Sequence, residues 1–144
     1  MEEISESAAR GAQDLRVMFS RLRRRLQALA TDNDLTPSQT AVLTRLWKHG
    51  VSSTSALASA EGVRPQSMAT IVAALETRGL IQREPDRDDG RRQVITLTNQ
   101  GRKRAERDRR AREEWLARAL QEQFSERERR VIVEALSLLQ RLTD

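Results

Sequence analysis

Residues Arg64–Thr98 read RPQSMATIVAALETRGLIQREPDRDDGRRQVITLT. Pro65 suits the first position of a helix, where its missing N–H costs nothing. Met68, Ile71, Val72 and Leu75 recur at three- and four-residue steps and so share one face of that helix. Arg78-Gly79 closes it, with glycine suited to the left-handed C-terminal position. Two short strands follow, Leu80–Glu84 and Gln93–Leu97; the second alternates Val94, Thr96 and Thr98 against Ile95 and Leu97. Between them lies a tip, Asp86-Arg87-Asp88-Asp89-Gly90-Arg91-Arg92, with Asp88-Asp89-Gly90 as its turn signal. A helix followed at once by a charged hairpin is the pattern of a winged helix that grips nucleic acid.

The outward positions of the helix support that reading. With the apolar stripe turned inward, Gln66, Ser67, Ala69, Thr70, Ala73 and Thr77 face out. Small side chains let a helix backbone approach a major groove, and amides and hydroxyls read base edges. The helix start also favours a phosphate. A plain amphipathic helix with a solvated face fits the same pattern. The tip adds weight to the nucleic-acid reading, because three arginines on a hairpin can reach a minor groove and its phosphates. Its aspartates can hold an arginine extended before DNA arrives. They do not form a calcium loop, since the ordered ligand spacing and the terminal Glu are missing.

Outward from this stretch the chain is helical. Leu15, Met18, Phe19, Leu22, Leu26 and Leu29 predict a helix from about Ala8 to Ala30, broken at Asp32-Asn33-Asp34. Thr36-Pro37-Ser38-Gln39 is a capping-box start for a helix with Val42, Leu43, Leu46 and Trp47 on its apolar stripe, ended by Gly50. A short helix through Ala56-Leu57-Ala58 follows, capped from Ser52–Thr54. After the hairpin, Thr98 caps a long polar helix carrying Trp115, Leu116, Ala119 and Leu120. Ser125-Glu126-Arg127-Glu128 is a second capping box. The last helix shows Val131, Ile132, Ala135, Leu136, Leu138, Leu139 and Leu142, a stripe wider than one packing neighbour needs. The expected fold is mainly α with a small β-hairpin wing. One domain over 1–144 is expected, with the winged helix-turn-helix at 36–98 and dimerisation helices at 8–31 and 99–144. The terminal helices cannot bury their apolar faces on so small a centre and are expected to pack on each other and on a second subunit. A monomeric helical bundle is the alternative.

Composition agrees with these expectations. At 144 residues the chain can bury roughly two thirds of its unfolded surface. Only 3% of residues are aromatic, so Leu, Ile, Val and Ala must build the core. The net charge is +5 and all the basic charge except Lys48 and Lys103 is arginine, which matches phosphate geometry better than lysine does. A GC-rich genome would enrich arginine as well. There is no cysteine, so disulfides, thiolate metal ligands and thiol redox sensing are excluded. The acidic start Met1-Glu2-Glu3-Ile4 is no signal peptide, no stretch is long enough to span a membrane, and the cytoplasm is the expected compartment.

The run from Thr36 to Leu142 resembles the MarR family of bacterial transcription regulators. The matching pieces are Leu75-Glu76 with Gly79-Leu80-Ile81, then Asp89-Gly90-Arg91, then Leu97-Thr98 and Gly101. The family's wing carries an Asp-x-Arg motif, matched by Asp89 and Arg91. The resemblance implies a homodimer on double-stranded DNA, each subunit with a recognition helix in a major groove and a wing in the flanking minor groove. It implies that Arg91 enters the minor groove and Asp89 braces it. Gln66, Ser67 and Thr70 match base-facing positions, and Arg64, Arg87 and Arg92 are expected to hold phosphates. Thr70, Ala73 and Ala74 stand where a long basic residue is common, which shifts weight from the helix to the wing and to DNA shape.

The reading from sequence is therefore a DNA-binding transcription regulator, a homodimeric repressor on a pseudo-palindromic operator with half-sites about 34 Å apart, released by a small-molecule effector. A winged-helix module that binds proteins is the competing reading. No nucleophile–base pair, paired-acid motif, phosphate loop or metal set is visible, so no enzyme, cofactor or metal is expected; His49 stands alone. Trp47 and Trp115 either pack in the core or line an effector cavity. The basic run from Arg102 to Arg112 is expected to be a solvated face, with a phosphate contact or a charge-tuned hinge as alternatives.

Overall fold

The computed structural model describes residues 3–29 and 34–144; the helix breaker at Asp32-Asn33 lies outside them. The elements are α1 (Glu6–Gln27), α2 (Pro37–His49), α3 (Thr54–Glu61), α4 (Pro65–Thr77), β1 (Ile81–Pro85), β2 (Gln93–Leu97), α5 (Asn99–Gln123), α6 (Glu126–Leu139) and a terminal 3-10 turn (Gln140–Leu142). They fall into two compact units, residues 1–108 and 109–144. The expected mainly α winged helix-turn-helix fold with one small hairpin is what the chain adopts.

In the first unit the core lies among α2, α3, α4 and the hairpin. Val42 and Leu43 of α2, Leu57 of α3, Met68, Val72 and Leu75 of α4, Ile81 of β1 and Ile95 of β2 are all buried to 2% exposure or less. The helical spacing at α4 drives this: Met68, Val72 and Leu75 line one stripe, with Ile71 partly buried at its edge. Each fully buried aliphatic side chain contributes about 1.5–3 kcal/mol of transfer free energy. Trp47 departs from the expected stripe. It is 39% exposed and lies outside the core, because Val42, Leu43 and Leu46 already fill the inward face of α2.

Local signals set the element ends. Thr36 Oγ1 accepts from Gln39 N at 3.2 Å while Gln39 Oε1 accepts from Thr36 N at 3.0 Å, completing the capping box. Ser53 caps α3 by accepting from Ala56 N. The α4 helix ends in Arg78, and Gly79 takes φ +74°, a left-handed value that a side chain would resist. The hairpin is antiparallel, in the register Ile81↔Leu97 through Pro85↔Gln93. Ser52 adds one bridge to its other edge: Ser52 N donates to Ile95 O at 3.1 Å and Ile95 N to Ser52 O at 2.7 Å. The wing is thereby pinned to the segment between α2 and α3.

The α1 helix has no buried residue; Met18 is 61% and Phe19 66% exposed. In the second unit, α6 starts at the Ser125 capping box, where Ser125 N donates to Glu128 and holds its carboxyl below the usual range. Arg129 reaches back to donate to the carbonyls of Leu120, Gln121 and Phe124, satisfying the orphan acceptors at the end of α5. Val131, Val133, Leu136, Leu138 and Leu142 are exposed along α6 and the final turn.

Candidate nucleic-acid interface

The α4 helix presents Gln66, Ser67, Ala69, Thr70, Ala73 and Thr77 to solvent. None is longer than glutamine, so the helix backbone is open to close approach. Thr70 Oγ1 donates to Gln66 O at 3.3 Å, and Thr77 Oγ1 donates to Ala73 O at 3.0 Å. With their protons turned back onto the helix, these threonines offer a methyl group and acceptor lone pairs outward. Arg64 is the residue before α4, in extended conformation and exposed, and makes no side-chain cap.

The wing tip is organised by its aspartates. Asp86 Oδ1 accepts from Asp88 N at 3.1 Å, and Asp89 Oδ1 accepts from Arg91 N at 3.1 Å. These are Asx turns, in which a short carboxylate stands in for a backbone carbonyl. Arg92 N donates to Asp89 O at 3.0 Å, and Asp86 N to Arg92 O at 2.9 Å, closing the loop. Asp89 thus braces Arg91 through its main chain, leaving the guanidinium to project. Among the described residues, Arg64, Arg87, Arg91 and Arg92 make no ion pair.

The predicted residues fall into three places. Gln66, Ser67 and Thr70 stand together on α4, with Arg64 at its start. Asp89, Arg87 and Arg91 stand together at the tip. Arg92 is separate: with Ser52, Ser53, Asp86 and Gln93 it lines a cleft of about 270 Å³ between the wing base and the start of α3. No element brings all eight residues into mutual contact, which suits an extended ligand rather than a small one. Among the described residues, no three His, Asp or Glu side chains gather to hold a metal ion, and no helix is long and apolar enough to cross a membrane.

A cluster that the sequence reading missed lies behind α4. Arg104 of α5 donates from Nη2 to Asp34 Oδ1 at 2.8 Å, from Nη1 to Asp34 Oδ2 at 3.0 Å, and from Nε to Asp108 Oδ2 at 3.2 Å. Arg78, at the end of α4, reaches the same Asp34 at 3.4 Å. The hydrogen bonds from Arg104 hold the Asp34 carboxyl at about 2, below its ordinary 3.8, and the two carboxylates raise the pKa of Arg104. The basic run on α5 is therefore not uniformly solvated. Arg102, Lys103 and Arg107 are exposed, but the Arg104 side chain is only 11% exposed. The four-residue spacing of Arg104 and Asp108 was the one available signal; Asp34 is too far away in sequence to be paired with them by inspection.

Comparison with known proteins gives one answer. The MarR family model matches residues 35–93, from the start of the core to the second wing strand. An HTH-type transcriptional regulator of Mycobacterium leprae is 35% identical over 139 residues, covering 96% of each chain. The crystal structure of a transcriptional regulator from Pseudomonas aeruginosa superposes with a TM-score of 0.84 at 33% identity, covering 97% of each chain. The HTH-type transcriptional repressor NicR of Pseudomonas putida is 36% identical over 60% of this chain and 55% of its own length. With a recognition helix of small polar residues, an arginine wing and these relatives, the chain belongs to the MarR family and is a DNA-binding transcription regulator.

Proposed function

We propose that the chain is a cytoplasmic, homodimeric repressor that binds a pseudo-palindromic operator. Each α4 enters a major groove with Gln66, Ser67 and Thr70 toward base edges. Each wing enters the adjoining minor groove with Arg91, and Arg64, Arg87 and Arg92 hold phosphates on either side. Residues 8–31 and 99–144 supply the dimer contacts around the 36–98 reading head. A small-molecule effector shifts the spacing of the two heads, which requires unequal affinity for the two spacings.

The observation that carries this reading is the wing tip: Asp86 and Asp89 each accept from a backbone amide, and among the described residues the exposed Arg87, Arg91 and Arg92 make no ion pair. The apolar side chains exposed on α1 and α6, such as Phe19 at 66% and Leu136 at 57%, support the dimer. The naming of the Pseudomonas putida relative as a repressor supports the direction of control. The test is binding to a fragment of the chain's own upstream region at fixed salt, wild type against Arg91→Ala. The variant is expected to lose minor-groove protection and about tenfold or more in affinity. Unchanged affinity and protection would refute the wing assignment.

A further inference from the structure

The end of α4 and the beginning of α5 are fastened to each other by packing, main-chain bonding, side-chain bonding and charge. The α5 helix is helical at Gly101, so no unusual backbone angle calls for glycine there; space does. A Cβ at that position would collide with the Leu80 carbonyl oxygen and press on Leu97 Cδ2 at 3.2 Å. Thr98 N donates to Leu80 O at 3.1 Å. Thr98 Oγ1 donates to Gly79 O at 2.5 Å and accepts from Gly101 N at 3.0 Å, so one hydroxyl stitches the exit turn of α4 to the first turn of α5. Asp34 then draws Arg78 of α4 and Arg104 of α5 onto a single carboxylate.

We propose that this joint positions the recognition helix: Gly101, Asp34 and Arg104 fix the angle at which α5 leaves α4, and thereby the half-site spacing that the dimer accepts. The inference rests on the homodimeric reading above. None of these three residues is assigned a DNA contact. Their effect is indirect, as positioning residues. A loose joint would let each head settle on several spacings at small cost, whereas a fastened one confines the pair to a narrow range. In a fastened joint an effector must strain these contacts or move both heads as rigid bodies.

The test uses the full chain and a duplex set. One duplex carries the footprinted operator, others carry it with one or two base pairs inserted or deleted at its centre, and one carries a single half-site. Wild type is expected to discriminate against altered spacing by about tenfold or more. Asp34→Ala and Arg104→Ala are expected to reduce that discrimination to about threefold or less, with single half-site affinity held within about twofold. Asp34→Glu, which keeps a carboxylate, is expected to recover part of it. Gly101→Ala is a harsher variant that risks the fold, so the polar variants carry the test, with helical circular dichroism confirming that they are folded. Folded Asp34→Ala and Arg104→Ala variants that retain the wild-type preference overturn the joint, as does a wild type with no preference. A wild type that binds no operator instead overturns the proposed function beneath it.

Discussion

Glu76 of the recognition helix meets Arg83 of the first wing strand, Oε2 to Nε at 3.2 Å. The pair joins the two parts of the proposed DNA interface on their solvent side. Both side chains are more than a third exposed, so water and salt screen the attraction. Glu76→Ala is expected to lower stability by about 0.5 kcal/mol in urea titration at low salt, and by nearly nothing at 1 M salt. A loss above about 2 kcal/mol would mean that the pair acts as part of a larger network.

Asp34 gives a pH signature. Its folded pKa of about 2 lies below its ordinary 3.8, so the charged form is favoured by folding. The resulting stability is fully present above pH 3.8 and is lost as pH falls through about 2. The side chain is 41% exposed, which cuts the effect to about 1 kcal/mol. Wild type should therefore exceed Asp34→Asn in unfolding free energy at neutral pH, with the gap closing between about pH 4 and pH 2. A gap that persists at pH 2 would assign the loss to packing rather than charge.

Leu75 is fully buried on α4, and Leu75→Ala is expected to cost about 2–5 kcal/mol. The proposed recognition surface sits on the helix that this stripe holds in place, so operator binding should fall in step with the folded fraction. Chemical denaturation alongside binding at the same temperature checks both.

Gln66 and Arg87 should fail in different ways. Gln66→Ala is expected to relax base preference at one operator position, at about 1–3 kcal/mol for the preferred base. Arg87→Ala is expected to weaken all sequences alike and to reduce the salt slope by about 1. Binding across single-base operator variants at several salt concentrations separates the two. If both variants behave identically, the division between base and phosphate contacts is wrong.

Phe19→Asp on α1 and Leu136→Asp on α6 place charges on the exposed apolar faces. Sedimentation at micromolar concentration should then show monomers where wild type sediments as a dimer, with circular dichroism unchanged. Wild type sedimenting as a monomer would remove the dimer from the proposal.

Much of the fold was legible because local chemistry and long-range packing agreed. Pro65, the Met68–Leu75 stripe and Gly79 mark one helix by capping and periodicity, and each takes its expected place. The two strands followed from alternation in β2 and the Asp-Gly turn, with the first at Ile81–Pro85, one residue later than expected. Trp47 did not follow the pattern, since an apolar residue at the edge of a stripe reads like one at its centre until the neighbouring helices are in place. At the wing tip, where the proposed residues are neighbours in sequence, the turn that gathers them was legible. The Asp34–Arg78–Arg104 cluster was not. Its members are brought together by the chain reversal at Gly79 and by the close approach at Gly101, neither of which leaves a charge pattern in sequence.

The bridge between Ser52 and Ile95 has a consequence for how the wing can change. It anchors the second strand from the side away from β1, so β2 is held on both edges, by β1 on one and by Ser52 on the other. Everything beyond the Pro85↔Gln93 pair is held only by its own turns. The stretch from Asp86 to Arg92 can thus be lengthened, shortened or rewritten with little effect on the core beneath it. If the wing is placed in the groove as proposed, its reach is a length that can be changed at the tip while the scaffold stays as it is.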